Sequence, residues 1–395
     1  MCYLRVNFRL YPTEGQETKL IAHCDATRFV FNQLLADNIK QYETDKTFTF
    51  GMELVSKTTP LRKEHIFLKE VNSQSLQQAA HRLAIAFKNR FKNKSGFPKF
   101  KSKRNPRQSY NIPQNFSVNG NQIRLPKIGW IRMINDRALI GKAKSLTIIR
   151  DIDEWYVSIL CEYEKPEEEI DQTSVVGIDV GIKTFAITSD GECLDMPKFT
   201  KENQRLKRLQ RRLAKKQKGS KNRDKARKKL GKKYREISRK KKDFINKFVS
   251  TITKGYDIIV MEDLNIKGMK ANRCLAPSIQ QLPWYFLKKR LQEKAKSFIE
   301  ADRWYPSSKT CSCCGWINKD LTLKDRDFIC QSCNSEMDRD LNAAINLKNL
   351  AGGTPVSACG DTTIGDESND SSRYVSMKQE SFGGCLEIRK SVDCG

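Results

Sequence analysis

Residues 173–191, TSVVGIDVGIKTFAITSDG, contain two apolar runs separated by a short turn with glycine. The first run predicts a buried strand that ends on Asp179, and the second predicts another strand that ends at the next turn. An aspartate before a glycine-containing turn is most often only a turn residue. Asp179 therefore becomes a candidate functional residue only if other acids occupy matching positions in the chain.

Two further stretches supply such acids. In YDIIVMEDLN (256–265), a short apolar run typical of a buried parallel strand ends on Glu262. In SEMDRDLNAAINL (335–347), Asp338 and Asp340 precede a predicted helix. Each acid also has a simpler explanation, because Glu262 could cap a helix and both aspartates favour a helix N-terminus.

Together the acids predict a two-metal centre for phosphodiester cleavage. Such a centre needs carboxylates from separate elements that hold two ions about 4 Å apart, and magnesium prefers oxygen ligands. The order of strand acid, strand acid and helix acid is that of RNase H-like folds. The residues alone do not decide whether Asp338 or Asp340 is the third ligand.

Four cysteines have the spacing of a zinc site. Cys311 and Cys314 enclose two residues, as do Cys330 and Cys333, with 15 residues between the pairs. This pattern predicts two knuckles that bind one structural zinc ion. Cys313 could replace Cys314, although a two-residue spacing suits a knuckle better. Four protein ligands would leave no open position for catalysis.

The most basic part of the chain is residues 201–243, with 22 Lys or Arg and four acids. Leucines at helical spacing on both sides of KGSKN predict two helices that form a hairpin. A solvated charged face would not require this excess of one sign, whereas contact with phosphates would. The basic side chains expected to contact phosphates belong to this hairpin and to KFKSKRNPR (99–107): Lys99, Lys101, Lys103, Arg104, Arg211, Arg212, Lys215 and Lys216.

The N-terminal part of the chain contains both structural periods. Strict alternation at residues 3–10 predicts a half-buried strand, and Thr13 with Gln16 has capping-box spacing before a helix over 14–45. A second helix is predicted over 70–93. Further along, an Asn-Gly turn and a second alternating pair predict hairpins of a sheet that the first strand could join.

Two predictions concern the C-terminal part. A helix is predicted at about residues 281–300, ahead of the cysteines. After Leu350 the composition changes to Gly, Ser, Thr and Asp with scattered Cys. Such a segment buries little apolar surface, so residues 351–395 are predicted to form a disordered tail.

The composition favours a partner that is a large polyanion. The chain has 395 residues, with 73 Lys or Arg and 46 Asp or Glu, and its net charge is +27. No apolar window of about 18 residues and no signal-peptide core are present, so no membrane partner is expected. The 13 cysteines, with only one cluster at ligand spacing, favour a reducing cytoplasm. Only three histidines occur, all early in the chain, which argues against a histidine-dependent nuclease.

Five motifs resemble those of the TnpB family, the RNA-guided DNA endonucleases of insertion sequences, which are related to type V CRISPR effectors. The motifs are GFPKFKSK, GIDVGIKTFAITSDG, IIVMEDLNIKGM, YPSSKTCSCCG and CQSCNSEMDRDLNAAINL, and the resemblance covers about residues 1–350. It implies an α+β multidomain fold. A RuvC-like (RNase H-like) nuclease domain with an inserted zinc ribbon would follow a wedge β-barrel with a helical recognition insert.

The resemblance also implies domain bounds. They are 1–12 and 105–170 for the wedge barrel, 13–104 for the helical insert, 171–310 and 334–350 for the nuclease domain including the basic hairpin 201–243, 311–333 for the zinc ribbon, and 351–395 for the tail.

The activity implied by the resemblance is cleavage of double-stranded DNA next to a short transposon-adjacent motif. A guide RNA from the transposon end would select the target, and two-metal-ion hydrolysis would cut it. The family's third acid lies two residues before the Asn of DLNAA, so the resemblance assigns catalysis and magnesium binding to Asp179, Glu262 and Asp340. The implied cofactors are two magnesium (or manganese) ions and one structural zinc. The implied location is the prokaryotic cytoplasm, at the nucleoid.

One helix face is a candidate reader of the flanking DNA motif. Ser73, Gln74 and Gln77 lie where the family's recognition helix meets DNA, and glutamine is a suitable reader of adenine. An ordinary solvated helix face is the alternative explanation.

Three rival functions share part of the pattern. A nuclease-inactive, RNA-guided repressor would have lost the acids, and all three are present. A DNA transposase would use the same fold to join strands, which a strand-transfer assay with a labelled transposon end detects. A plain DNA-binding regulator would depend on neither RNA nor metal.

Overall fold

The computed structural model describes residues 2–92, 96–164, 169–272, 274–322 and 325–352. These residues form an α+β protein with two compact units, one within 1–167 and 202–235 and the other within 168–201 and from 236 onward. Of the predicted tail, only Ala351 and Gly352 are described, and they continue the last helix; the rest of that prediction lies outside the described residues.

The first unit contains a seven-stranded antiparallel sheet in the order β2-β6-β7-β1-β5-β4-β3. Its strands are β1 Cys2–Tyr11, β2 Arg107–Ile112, β3 Ser117–Asn119, β4 Gln122–Leu125, β5 Gly129–Met133, β6 Lys142–Asp151 and β7 Glu154–Tyr163. The predicted N-terminal strand is confirmed, because Val6, Phe8 and Leu10 are buried on one face. It pairs with both β7 and β5, so it joins the sheet of the later hairpins. Gly120, with φ +49°, closes the predicted Asn-Gly turn between β3 and β4.

Helices of the first unit form a second apolar core. They are α1 Glu14–Asp45, α2 Gly51–Ser56, α3 Thr58–Glu64 and α4 Ser73–Lys92, with a 3-10 turn at Ile66–Lys69. The capping box of α1 is confirmed: Thr13 Oγ1 accepts from the Gln16 main-chain N–H, and Gln16 Oε1 accepts from that of Thr13. The predicted helix over 70–93 corresponds to α4.

The basic segment forms two helices, α5 Thr200–Ala214 and α6 Lys221–Gly255. The Arg223 guanidinium fixes the turn between them by donating to the carbonyl oxygens of Leu213 and Lys216, at 2.9 and 2.7 Å. The phenolic oxygen of Tyr234 on α6 accepts a hydrogen bond from Gln210 on α5 at 2.6 Å. The hairpin predicted from leucine spacing is therefore present.

The second unit contains a five-stranded sheet in the order β10-β9-β8-β11-β12. Its strands are β8 Val175–Asp179, β9 Ala186–Thr188, β10 Cys193–Leu194, β11 Ile258–Glu262 and β12 Ser297–Ala301. Strands β8, β11 and β12 are parallel, so their carboxyl ends meet at one edge. The remaining elements are α7 Ile266–Met269, α8 Ala276–Gln281, α9 Trp284–Lys294, β13 Asp327–Ile329, β14 Glu336–Asp338 and α10 Arg339–Gly352.

Two boundary predictions were wrong in this unit. The helix predicted at 281–300 ends at Lys294, because Ser297–Ala301 pair in parallel with β11 instead. The second basic helix does not end near residue 243 but continues to Gly255. It continues because the apolar stripe Ile245, Val249 and Ile252 is buried against the sheet.

The two faces of this sheet pack against different helices. Val176 and Ile178 pack with α6 and α9, whereas Val175 packs with Leu347 of α10. Side chains alternate along a strand, so Asp179 projects from the same face as Val175, toward α10.

Helix α10 lies very close to β8. A Cβ atom placed on Gly177 would lie 2.0 Å from the carbonyl oxygen of Ala344 and 2.5 Å from the main-chain nitrogen of Lys348. Ala343 and Ala344 are fully buried. Only glycine on the strand and small side chains on the helix permit this contact, which sets the position of the first turn of α10.

Candidate functional site

Asp179 and Glu262 lie side by side at one edge of the five-stranded sheet. Ile178 is opposite Met261 in the parallel register, so the two acids occupy the next positions on strands about 4.8 Å apart. Residues opposite each other in a parallel pair share a face, so both carboxylates project toward α10. Both side chains are partly buried.

Helix α10 brings Asp340 to the same place. Burial, and then the charges of Asp340 and Glu262, raise the pKa of Asp179 to about 7. Burial also raises the pKa of Glu262, with a smaller contribution from Asp263. A buried carboxyl group whose pKa is raised by neighbouring acids favours either a bound proton or a bound cation. The three acids therefore interact electrostatically at this edge, although their carboxylate oxygens do not all lie within 4.8 Å of one another.

Asp338 differs from Asp340 in what it binds. Asp338 Oδ1 accepts hydrogen bonds from the main-chain N–H groups of Asp340 and Leu341, at 2.9 and 3.1 Å, so it caps the first turn of α10. The Asp340 carboxylate instead pairs with Arg339 at 3.0 Å and Arg326 at 3.6 Å. One aspartate caps the helix, and the other lies with the two strand acids.

Neither arginine that pairs with Asp340 was predicted from the sequence. The Arg339 guanidinium also donates to the carbonyl oxygens of Thr322 and Asp325, at 3.4 and 3.0 Å. The main-chain N–H of Arg339 donates to the carbonyl oxygen of Arg326 at 2.7 Å. Arg339 was visible as the central residue of DRD. Arg326 gave no local signal, because its partner Asp340 is distant in sequence.

Asp263, the acid next to Glu262, is held by cations instead. Hydrogen bonds from Lys288, at 3.0 Å, and from Arg303 lower the pKa of Asp263 to about 2. This carboxylate is therefore ionised, and its charge is balanced by Lys288 and Arg303. Its hydrogen bonds join the end of β11 to α9 and to the loop after β12.

The four predicted cysteines converge. Their ligand atoms all lie within 4.8 Å of one another. Within the described ranges, no other group of three or more His, Cys, Asp or Glu residues is this close. The sulfur of Cys311 is 3.7 Å from that of Cys333, and the sulfur of Cys314 is 3.5 Å from that of Cys330. A tetrahedral zinc site with bonds of about 2.3 Å has sulfur–sulfur edges of about 3.8 Å, so this donor set is compatible with zinc. The sulfur of Cys313 is not part of the group.

Two asparagines of α10 hold the first cysteine knuckle. Asn342, which is 0% exposed, accepts from the Ser312 main-chain N–H at 2.9 Å and donates to the carbonyl oxygen of Thr310 at 2.7 Å. Asn346 donates to the carbonyl oxygens of Ser307 and Thr310, at 2.8 and 2.6 Å. The knuckle and the helix that carries Asp340 are thus joined by four hydrogen bonds, two of them buried and two partly buried.

The candidate DNA-reading residues lie on α4, where Ser73 and Gln74 are half-buried and Gln77 is exposed. A pocket of about 470 Å³ opens beside the same helix, but none of these three lines it. Its lining includes Ser75, Gln78 and Arg82, none of which was predicted from the sequence.

Most of the predicted phosphate-binding side chains are exposed and positively charged. Lys103 pairs with Asp25 at 3.1 Å, and the Lys101 ammonium lies 3.6 Å from the centroid of the Phe31 ring. The others, all exposed, are Lys99, Arg104, Arg211, Arg212, Lys215 and Lys216. No helix in the described part of the chain is long and apolar enough to cross a membrane.

Asp179→Asn should stabilise the cation-free protein at alkaline pH. Because the folded-state pKa of Asp179 is raised, ionisation of this one group causes a loss of stability as the pH rises from about 4 through about 7. The Asn variant lacks this loss, so at about pH 8 its free energy of unfolding should be higher by about 1–4 kcal/mol. Urea titrations in magnesium-free buffer measure this difference. An Asn variant less stable than wild type at that pH would rule out carboxylate repulsion at this site.

Three family descriptions match parts of the chain. Residues 158–273 match OrfB_IS605, "Probable transposase", and residues 284–347 match "Cas12f1-like, TNB domain". Residues 1–47 match "Helix-turn-helix domain". In this structure those residues form β1 and the single helix α1 rather than two helices.

Two relatives and one solved structure are similar over most of the length. A Streptomyces pristinaespiralis protein named "Putative RNA-guided DNA endonuclease" is 32% identical over 94% of this chain and 95% of its own length. The Escherichia coli K12 protein "Putative RNA-guided DNA endonuclease InsQ" is 31% identical over 90% and 93%, respectively. The fold resembles that in "Cryo-EM structure of the Cas12f1-sgRNA-target DNA complex", with a TM-score of 0.54 and 14% identity, covering 88% of this chain and 99% of that one. This chain therefore belongs to the TnpB (OrfB) family of insertion-sequence proteins.

Proposed function

We propose that this chain is an RNA-guided DNA endonuclease of an insertion sequence, which cuts double-stranded DNA beside a short transposon-adjacent motif. The proposal rests on the adjacent positions of Asp179 and Glu262 at one sheet edge and on Asp340, whose charge raises the pKa of Asp179. A net charge of +27 fits two nucleic-acid partners, a guide RNA from the transposon end and the target DNA. Base pairing by the RNA supplies the sequence specificity. The site of action is the prokaryotic cytoplasm, at the nucleoid.

The three carboxylates are assigned as ligands of two magnesium or manganese ions. When bound, such ions activate a water for in-line attack on phosphorus and stabilise the leaving 3′ oxygen. The chain itself contributes to the geometry, because the parallel register sets Asp179 beside Glu262, and the Asp338 cap stabilises the first turn of the helix that carries Asp340. The unit that holds them is assigned as a RuvC-like nuclease domain. A repressor without nuclease activity would not need this set of acids.

The cysteine cluster is assigned as a zinc ribbon with Cys311, Cys314, Cys330 and Cys333 as ligands. Its sulfur–sulfur distances support this assignment. Asn342 and Asn346 join α10 to residues 307–312 through four hydrogen bonds. A zinc ion bound beside this segment would order it, so the ribbon is assigned a role in positioning Asp340 on α10.

Cys314→Ser should weaken zinc binding, whereas Cys313→Ser should not. Four-thiolate zinc sites contribute about 10–16 kcal/mol, so loss of one ligand should reduce affinity on the order of a hundredfold. Competition with a colorimetric zinc chelator measures the difference on the two purified variants. Equal zinc retention by both would exclude Cys314 as a ligand, and loss only in the Cys313 variant would assign that residue instead.

The remaining parts are assigned to nucleic-acid binding. The seven-stranded sheet is assigned as the wedge barrel and the helices of 13–104 as its recognition insert. The basic hairpin and residues 99–107 contact RNA and heteroduplex phosphates, so affinity falls by about 10³–10⁵ between low and moderate salt if about 6–10 phosphates are bound. Ser73, Gln74 and Gln77 on α4 are assigned as readers of the flanking motif, through hydrogen bonds to base edges.

The proposal is tested by the RNA that accompanies the protein. The chain is purified from cells that carry its whole native locus, and the bound RNA is sequenced. We expect one RNA species that ends at the transposon boundary. Recovery of only random cellular RNA would contradict the guided mechanism.

A further inference from the structure

Trp304 is the most exposed of the large apolar side chains in the described residues, at 86%. It lies in the short loop between β12 and the first cysteine knuckle. An indole held almost wholly in water leaves a large, rigid apolar surface free to contact a partner.

The backbone under Trp304 is fixed locally. Its main-chain N–H donates to Asp302 Oδ1 at 2.8 Å, and the N–H of Tyr305 donates to the carbonyl oxygen of Asp302 at 3.0 Å. These bonds form a tight turn that presents the indole. The exposure of Trp304 is therefore a feature of an ordered loop.

This loop starts at the sheet edge that carries the acids. Ala301, the last residue of β12, is paired with Glu262 in the parallel register. Arg303 then binds the carboxylate of Asp263, and the hydroxyl of Tyr305 donates to the carbonyl oxygen of Asn346 on α10 at 3.4 Å. The residues on both sides of Trp304 are thus anchored to the elements that carry two of the three acids.

We propose that Trp304 is a stacking platform for a nucleobase of the single DNA strand that enters the carboxylate centre, an inference that rests on the proposed nuclease function. An aromatic ring stacks on any base, since every base has a π-face, so the platform positions a strand without reading its sequence. The Arg303 guanidinium, whose side chain is 45% exposed, lies next to it and suits the phosphate of the same strand. Trp304 is a positioning residue in this scheme.

The test compares two single-stranded DNA oligonucleotides of equal length, one with all its bases and one with abasic sites at its centre. Binding to the full chain with its guide RNA is measured by fluorescence anisotropy without added magnesium. A salt concentration of about 0.3 M suppresses phosphate contacts elsewhere. Trp304→Leu should weaken binding of the complete strand by about 5- to 100-fold and leave the abasic strand nearly unchanged. Trp304→Phe should retain most of the affinity.

The matched control is Tyr285→Leu, which removes an aromatic ring that is 72% exposed on α9. It should bind both strands as wild type does. Equal weakening of both strands by Trp304→Leu, or no weakening of either, would overturn the stacking role. This experiment measures binding and no cleavage, so it is independent of the nuclease function. If Trp304→Leu weakened binding of the complete strand only, but the wild-type chain never cut DNA, the stacking role would stand and the nuclease function would be rejected.

Discussion

Asp340→Ala should abolish DNA cleavage, whereas Asp338→Ala should leave cleavage largely intact and lower stability. The two aspartates are two residues apart, but only Asp340 lies close enough to Asp179 to raise its pKa. Loss of a metal ligand should remove about 4 kcal/mol or more of transition-state stabilisation, which is at least about a thousandfold in rate. Loss of the Asp338 cap should lower the free energy of unfolding by about 0.5–2 kcal/mol.

The measurements are single-turnover cleavage of a guided target and urea unfolding, on the same three proteins. Guide RNA affinity serves as the control, and it should be equal in wild type and both variants. Asp340→Ala should unfold within about 1 kcal/mol of wild type, because it removes repulsion together with partly exposed ion pairs to Arg326 and Arg339. Wild-type cleavage by Asp340→Ala would remove that residue from the centre.

Gly177→Ala should damage both stability and cleavage through a single added methyl group. The new Cβ atom would meet the carbonyl oxygen of Ala344 at 2.0 Å and the main-chain nitrogen of Lys348 at 2.5 Å. Both contacts are with backbone, which cannot rotate away as a flexible side chain would. Overpacking of this kind costs about 1–3 kcal/mol, and we expect the upper end of that range. Because α10 must move away from β8, Asp340 should also separate from Asp179.

Gly255→Ala is the matched control in the same unit, because a Cβ atom at Gly255 would meet nothing within 4 Å. This variant should unfold within about 1 kcal/mol of wild type and cleave normally. Urea titration and guided cleavage are measured on both. A Gly177→Ala protein with wild-type stability would show that α10 does not pack on β8 as described.

Much of the fold could be predicted from local pattern. The apolar run that ends on Asp179 predicted a strand, and the run that ends on Glu262 predicted a buried parallel strand, because such a strand is apolar on both faces. The alternating N-terminal strand and the capping box at Thr13 also depend on neighbouring residues only. The cysteine spacing likewise encodes the observed cluster directly.

The errors and omissions have a common physical cause, which is pairing between residues distant in sequence. Residues 295–301 carry no local signal that distinguishes a helix from a strand, and the neighbouring β11 decides the outcome. The choice between Asp338 and Asp340 depends on which carboxylate meets β8, and periodicity cannot decide it for residues at a helix start. Arg326 is near Asp340 only because the β13–β14 pair folds back toward α10.

The most direct test of the account is a guide exchange. Two preparations of the protein carry guide RNAs that differ only in their guide segment, and each is offered two plasmid libraries. Each library carries one matching target beside a randomised flank. We predict magnesium-dependent double-strand cuts only in the library that matches the guide, beside one enriched flanking motif. Cutting that does not follow the guide, or joining of a labelled transposon end to the target DNA, would contradict an RNA-guided endonuclease function.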